Sequence, residues 1–157
     1  MSAQRARIRF RTLESAEMEA ILARNHVGRI AFSFHDRVDL EPIHYVFHRG
    51  TILCRTAPGT KLTTLAHHPW VAFEVDETHD LFDWQSVVVR GSIYLLDEQG
   101  AEADVRAREE AIAQMRELLP EIFTPDDPAP FRQVILRLFP AEMTGRAASP
   151  SSARGSP

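Results

Sequence analysis

The chain has 157 residues, 44% hydrophobic and 25% charged, a composition typical of one soluble globular domain. Its formal net charge of −4 gives no general attraction to nucleic acid or to an anionic membrane, and we predict neither as a partner. The single cysteine, Cys54, excludes an intramolecular disulfide and a thiolate zinc cluster, and it favours a reducing cytoplasm as the location. No run of eighteen apolar residues occurs, so we expect no membrane span.

The N-terminal residues combine a basic stretch with a short helical pattern. Arginines alternate with apolar residues over 5–11, and this period of two indicates a solvated leader entering a first strand; a nucleic-acid arm is the alternative. Residues 13–28 then predict a helix with Ser15 as its N-cap. Its apolar residues recur at helical spacing and should face the core: Met18, Ile21 and Leu22.

Three consecutive segments predict an antiparallel meander of strands, since turn residues separate them. They are GRIAFSFHD, LEPIHYVFHRG and TILCRT. In the second segment we expect Ile43, Tyr45 and Phe47 on one face and His44, Val46 and His48 on the other. Pro42 predicts a strand end or an unpaired position there, because proline cannot donate to a ladder.

The second half of the chain continues this pattern. GTKLTTLAHHP predicts a short helix, residues 70–77 a strand, and residues 84–98 a strand that bends at Gly91. Residues 99–119 predict the longest helix, with Val105, Ile112, Met115 and Leu119 towards the core. A proline-rich loop then precedes a last strand, FRQVILRLFPAEMTG. We therefore predict an α+β fold, mainly an antiparallel β-barrel with flanking helices, over residues 1–146 and a disordered tail over residues 147–157.

The segment RTAPGTK has the residue types that bind a phosphate outside a P-loop. Arg55 offers a planar fork for phosphate oxygens, Thr56 and Thr60 offer hydroxyls, and Gly59 allows a close approach of the backbone. Lys61 falls in the first turn of the predicted helix, where a cation is unfavourable unless an anion is also present. The alternative interpretation is an exposed turn with two ordinary surface charges.

Other chemistries have weaker support. No GxSxG elbow occurs, and Cys54 in an apolar strand is typical of a small buried hydrophobic residue rather than a nucleophile. His44 and His48 share a strand face but lie about 13 Å apart at strand rise, too far for one metal ion. We predict no metal site. Trp84 follows a mixed loop, where an aromatic side chain is suited to the edge of a pocket.

Together these segments resemble the pyridoxamine 5′-phosphate oxidase-like superfamily of FMN-binding split barrels, and in particular its nitroimidazole-resistance-protein-like branch. The resemblance runs over about residues 12–97, through ILARNHVGRIAFSF, EPIHYVFHRGTILCRTAPGTKL, HHPWVAFEVDE and WQSVVVRGSIYLLD. FRQVILRLFPAEMTGR adds a weaker similarity. The chain lacks the C-terminal arginine-rich substrate segment of true pyridoxamine 5′-phosphate oxidases, which argues against that reaction.

The resemblance implies a homodimer that binds two FMN molecules at its interface. It assigns Arg55 and Lys61, with Thr56 and Thr60 beside them, to the FMN phosphate. It places the strand Pro42, Ile43, His44 and Tyr45 along the flavin ring, where His44 or Tyr45 would hydrogen-bond the ring or donate a proton. It assigns to the partner subunit the contacts made by Trp84, Gln85, Ser86 and Val87.

The function that follows is an FMN-dependent oxidoreductase that reduces a small organic substrate with electrons from NADH or NADPH. The cofactor would supply the redox chemistry, which accounts for the lack of an evident catalytic dyad. A non-catalytic flavin-binding or sensor module and a deazaflavin-dependent reductase are the alternatives, because fold alone does not determine the reaction.

Overall fold

A computed structural model describes residues 7–151, and within that range the chain forms seven strands and three helices. In chain order they are β1 (Arg7–Thr12), α1 (Ser15–Arg24), β2 (Val27–Phe34), β3 (Arg37–His48), β4 (Thr51–Thr56), α2 (Thr60–His67), β5 (Trp70–Asp80), β6 (Asp83–Leu95), α3 (Glu102–Leu118) and β7 (Val134–Ser151). None of the helices in this range is long and apolar enough to cross a membrane.

The strands form one antiparallel sheet that closes on itself. Its order is β1-β7-β4-β3-β2-β5-β6, and β6 also pairs with β7, so six strands make a ring to which β1 is attached. Closure pairs the edges that an open sheet would expose. The predicted α+β antiparallel barrel with flanking helices is therefore confirmed.

The barrel closes because β7 is long enough to pair with three strands. Residues 134–138 pair with β4, residues 136–148 with β6 and residues 146–151 with β1. The prediction of a disordered tail from residue 147 is therefore wrong for 147–151. Ala147 and Ala148 are buried there, since small side chains fit where strands converge. Backbone pairing with β1 and β6 compensates for the small apolar area that an alanine side chain buries. Residues 152–157 lie outside the described residues.

The N-terminal predictions are confirmed with one change of boundary. The alternating arginines from Arg7 onward lie in β1, whereas Arg5 lies outside the described residues. Helix α1 begins at Ser15, but its cap is Glu14, which forms a reciprocal capping box with Glu17. The predicted inward residues of α1 are buried in the barrel core: Met18, Ile21 and Leu22.

Helix α3 packs on the outside of the barrel and forms a second apolar cluster with β3, β4 and β7. Met115 is fully buried, as predicted, but the other deeply buried positions are Ala107 and Ala111 rather than Val105 and Ile112. Alanine lets the helix approach the sheet closely. Val105 and Ile112 are half-buried, so the face predicted from the large apolar residues is rotated from the one that packs most deeply on the sheet.

Gly91 marks the bend in β6. The pairing of β6 with β7 shifts register between Arg90 and Gly91, which confirms the predicted irregularity. A Cβ at position 91 would lie 2.0 Å from the carbonyl oxygen of Phe139, so only glycine fits there.

Candidate functional site

A cavity of about 460 Å³ lies between β3, the end of β4, the start of α2 and the segment before β7. Six of the residues predicted for the cofactor site line it: Pro42, Ile43, His44, Arg55, Thr56 and Lys61. The other lining residues are Val27, Glu41, Ala57, Phe131 and Arg132. The structure thus brings most of the RTAPGTK segment and residues 42–44 of β3 to one cavity.

One wall of the cavity is the middle of β3. Pro42 lies inside this strand and not at its start, opposite Arg29 of β2. The pairing of β3 with β4 extends only to His44, so β4 does not pair with Pro42. Proline is tolerated there because no ladder bond to β4 is lost. Of the two predicted alternatives, the strand end is wrong, because β3 extends from Arg37, whereas the unpaired position is confirmed on the side of β4.

Tyr45 does not line this cavity, which corrects its predicted placement beside the flavin. The alternation of β3 turns its ring into the barrel core, where it is fully buried. Its hydroxyl donates a hydrogen bond of 2.8 Å to the carbonyl oxygen of Leu22, and burial raises its pKa. Tyr45 therefore fastens α1 to the barrel and is not placed to donate a proton to a ligand in the cavity.

Arg55 lies in the cavity wall, but its guanidinium binds the loop of residues 120–133. It forms a buried ion pair with Asp127. Its Nε donates to the carbonyl oxygen of Arg132 (2.7 Å), and a terminal nitrogen donates to that of Ala129 (3.1 Å). The guanidinium also lies 4.7 Å from the centre of the Phe123 ring. Arg55 therefore holds in place the loop that completes the cavity.

Lys61 lies in the first turn of α2, as predicted, and its Nζ donates a hydrogen bond of 2.6 Å to Oε2 of Glu41. The unfavourable interaction of a cation with this end of the helix is therefore offset by a carboxylate of the same chain. Lys61 therefore does not by itself require a bound anion. The sequence pattern could not show that Glu41 lies within hydrogen-bond distance of it.

Of the remaining phosphate candidates, Thr56 is buried in the cavity wall, whereas Gly59 and Thr60 are exposed and do not line it. Gly59 caps α2 with a φ of 168°, an extended conformation that any residue adopts. A Cβ there would meet no atom within 4 Å. The fold therefore does not require glycine at this position.

The substitution Gly59→Ala tests whether the backbone at this position approaches a ligand, because the fold itself tolerates a side chain there. We expect Gly59→Ala to leave the midpoint of thermal unfolding within about 2 °C of the wild type. Alanine lowers the backbone entropy of the unfolded chain slightly, and its Cβ meets no atom in the folded protein. If the backbone at this position approaches a phosphate, the same variant weakens flavin binding in a fluorescence titration. Unchanged affinity would remove Gly59 from the site.

His44 is the titratable group at the centre of the cavity. Burial, followed by the nearby His26, Arg55 and Arg132, lowers the pKa of His44 below its usual value. Its imidazole is therefore neutral at neutral pH and offers one N–H donor and one acceptor nitrogen. The neighbouring His26 has a buried Nδ1 with no hydrogen-bond partner among the described residues.

Sequence reasoning missed five residues of the cavity: Val27, Glu41, Ala57, Phe131 and Arg132. Phe131 is 62% exposed although it is a large aromatic residue, and Arg132 is exposed beside it. The only sequence signal for Phe131 and Arg132 was an aromatic–arginine pair directly after a proline-rich loop, at the start of the predicted last strand. The loop lies far from RTAPGTK in the sequence, so only the fold brings them together.

Comparisons with known proteins agree with this geometry. The family profile for pyridoxamine 5′-phosphate oxidase matches residues 14–147. The chain belongs to this family. The resemblance seen in the sequence is therefore confirmed, and the matched range extends well beyond the part of the chain on which it rested.

Solved structures of this type are similar over nearly their whole length. An FAD-binding protein from Mycobacterium smegmatis is 32% identical, with a TM-score of 0.63, over 88% of this chain and 98% of that chain. An FAD-binding protein from Mesorhizobium loti is 24% identical, with a TM-score of 0.72, over 89% and 98%. A candidate 5-nitroimidazole antibiotic resistance protein from Bacteroides thetaiotaomicron is 14% identical, with a TM-score of 0.66, over 90% and 89%. A comparison with curated proteins found no match.

In this family member, the residues predicted to come from a partner subunit lie away from the cavity of their own chain. Trp84 lines a second cavity of about 440 Å³, next to Phe10 and Arg146. Gln85 and Ser86 are half-buried on β6, and the side chain of Val87 is fully buried in the barrel core. The side chain of Val87 is therefore not placed to contact a ligand, whereas the roles of Trp84, Gln85 and Ser86 stay predictions.

Gln85 is held by a hydrogen-bond network centred on Glu77. The Glu77 carboxylate accepts bonds from Arg24 (2.8 and 2.5 Å), from Asn25 (2.7 Å) and from Gln85 (2.7 Å). The Arg24 bond is the main cause that lowers the pKa of Glu77 from 4.5 to about 2. This network joins the end of α1 to β5 and β6.

The Glu77 network predicts a pH-dependent contribution to stability. Because the folded state lowers the pKa of Glu77, its contribution is present above about pH 4.5 and is lost as the pH falls towards 2. We expect Glu77→Gln to lower the free energy of unfolding at pH 7 and to have progressively less effect over this window, as measured by urea unfolding. A pH-independent difference between wild type and variant would contradict this assignment.

The remaining nucleophile and metal candidates give no site. Cys54 is fully buried, and burial raises the pKa of its thiol to about 12, so it lacks the thiolate character that reactivity requires. Within residues 7–151, no group of three or more histidine, cysteine, aspartate or glutamate side chains is arranged to hold a metal ion.

Proposed function

We propose that this protein binds FMN in the cavity between β3, β4 and α2, and that it is an oxidoreductase that reduces a small organic substrate with electrons from NADH or NADPH. The observation that carries the proposal is the cavity itself, which combines an apolar strand wall with hydroxyl and cationic side chains. Its volume of about 460 Å³ lies in the range of roughly 300–1,000 Å³ that is usual for small-molecule sites.

The residues present fit a phosphate-bearing flavin. Val27 and Pro42 offer an apolar surface for a planar ring system. Thr56 and Lys61 offer donors for a phosphate. His44, neutral at physiological pH, can exchange one hydrogen bond with a ring atom. A bound flavin would supply the redox chemistry, while the protein binds it, orients it and excludes water.

The identity of the cofactor is tested by what the purified protein carries. We expect a yellow protein with flavin absorption, and mass spectrometry of the released cofactor distinguishes FMN from FAD and from a deazaflavin. FAD is the nearest competitor, because the similar proteins from M. smegmatis and M. loti are described as FAD-binding. A colourless protein that binds none of these added cofactors would reject the proposal.

Catalysis requires a separate measurement, since flavin binding alone also fits a non-catalytic sensor. We expect the flavin-loaded protein to oxidise NADH or NADPH in the presence of a quinone or a nitroaromatic acceptor. Tight flavin binding without turnover for either donor would favour the sensor alternative.

The proposal includes a cytoplasmic homodimer in which Trp84, Gln85 and Ser86 of one subunit complete the site of the other. Its support is that these residues lie away from the cavity of their own chain, so contact with the same ligand requires a second copy. Light scattering should give twice the monomer mass. Co-expressed subunits that carry Lys61→Glu and Trp84→Ala separately should retain one intact site per dimer, whereas a monomeric mass would reject the arrangement.

A further inference from the structure

We infer that Arg132, and not Arg55, is the arginine that binds the phosphate of the cofactor, and that Arg55 is a positioning residue that holds Arg132 in the cavity wall. The inference rests on the proposed flavin site and reassigns one of its contacts. It concerns the loop of residues 120–133, for which the sequence resemblance provided no role.

The donors of Arg55 are already engaged by groups of the same chain. Its side chain is 3% exposed and forms its ion pair with Asp127, whose own side chain is 2% exposed. Its Nε and a terminal nitrogen also donate to the carbonyl oxygens of Arg132 and Ala129. To bind a phosphate with these donors, Arg55 would have to leave a buried carboxylate without a counter-ion, which is costly.

Arg132, in contrast, has a guanidinium that is available to a ligand. It is exposed and lines the cavity, and among residues 7–151 no carboxylate forms an ion pair or hydrogen bond with its guanidinium. The central carbon of its guanidinium lies 5.8 Å from the centre of the Phe131 ring. An arginine with an open fork is suited to a phosphate, which it can bind through two parallel hydrogen bonds.

The charge balance of the cavity also favours Arg132 as the residue that binds a phosphate. Lys61 is paired with Glu41, and Arg55 is paired with Asp127. Since His44 is neutral at pH 7, Arg132 supplies the positive charge that remains uncompensated around the cavity. A phosphate is therefore attracted to the end of the cavity where Arg132 lies.

The role of Arg55 follows from the same contacts. Its Nε binds the carbonyl oxygen of Arg132, so it fixes the backbone from which the Arg132 side chain extends. Asp127 assists by accepting hydrogen bonds from the backbone N–H groups of Phe123 and Ala129. Loss of Arg55 would thus affect phosphate binding through Arg132.

The test compares FMN with riboflavin, which has the same ring system but no phosphate. Dissociation constants are measured by fluorescence titration of protein freed of flavin. We expect Arg132→Gln to weaken FMN binding about 10- to 100-fold, as expected for a lost charge-assisted contact, and to change riboflavin binding less than about 2-fold. Arg49→Gln, which removes an exposed arginine from the β3–β4 turn, is the matched control and should change neither constant.

A double-mutant cycle tests the positioning role. If Arg55 acts through Arg132, Arg55→Lys lowers the ratio of FMN to riboflavin affinity in the wild-type background but lowers it no further in the Arg132→Gln background. Additive effects would mean that Arg55 contacts the phosphate directly. Such additivity would overturn the positioning role.

The outcomes also separate this inference from the proposed function. If the wild type binds none of FMN, FAD and riboflavin, the flavin site itself is rejected, and the inference about Arg132 is rejected with it. If the wild type prefers FMN to riboflavin and Arg132→Gln retains that preference, the flavin site stands and the assignment of Arg132 is wrong. Because Arg132 is exposed, this variant should fold, and its thermal unfolding midpoint verifies that it does.

Discussion

Replacement of Arg55 by methionine is expected to lower the free energy of unfolding by about 3–5 kcal/mol, the usual cost of breaking a buried ion pair from one side. The variant keeps an unbranched apolar stem but leaves the carboxylate of Asp127 buried without a counter-ion. It also removes the donors that bind the carbonyl oxygens of Ala129 and Arg132. Urea unfolding of the purified protein measures the difference.

Two further variants show whether the loss comes from the uncompensated charge. Addition of Asp127→Asn to the Arg55→Met background removes that charge and should recover part of the lost stability, since the amide oxygen can still accept a backbone hydrogen bond. Arg49→Met, on the exposed β3–β4 turn, should stay within about 0.5 kcal/mol of the wild type. A loss for Arg55→Met no larger than for Arg49→Met would show that the ion pair contributes nothing to stability.

The second large effect is expected at the Lys61–Glu41 pair, where two single substitutions should change FMN affinity in opposite directions. Lys61→Glu places two carboxylates on the cavity wall, and we expect it to weaken FMN binding on the order of 100-fold. Glu41→Gln removes the carboxylate that engages Nζ of Lys61 at 2.6 Å and should strengthen FMN binding. Fluorescence titration with FMN and with riboflavin measures both.

Riboflavin distinguishes electrostatics from damage to the site. Both substitutions should change the riboflavin constant much less than the FMN constant, because riboflavin carries no phosphate. The effects should also shrink as salt is raised, since the cavity is open to solvent and ions screen exposed charges. Equal changes for the two ligands would indicate that Lys61 and Glu41 shape the cavity and do not select for charge.

The elements of this fold were predictable because their patterns are local. The period of two in TILCRT and WQSVVVRG and the helical spacing of Met18, Ile21 and Leu22 arise from side chains that alternate or recur on one face of a single segment. The turn at HRG and the bend at Gly91 also follow from local backbone requirements. Each of these required only a few neighbouring residues.

The errors have an equally physical origin. Ala147 and Ala148 belong to a strand because β1 and β6 provide backbone partners on either side, and nothing in RAASPSSARGSP reveals those partners. Ala107 and Ala111 face the sheet because a close approach of helix and barrel favours small side chains. Both depend on what lies across the interface and not on the segment itself.

For the site, the sequence by itself determined the family, the barrel and the two segments that form most of the cavity wall. Only the tertiary structure decided how the charges are distributed within it. It pairs Lys61 with Glu41, separated by 20 positions, and Arg55 with Asp127, separated by 72 positions. Charges interact through space regardless of sequence distance, so RTAPGTK alone could not show which cation was already neutralised. Nor could it show that Arg132, at the start of the predicted last strand, lies before β7 beside this cavity and supplies the charge that remains uncompensated.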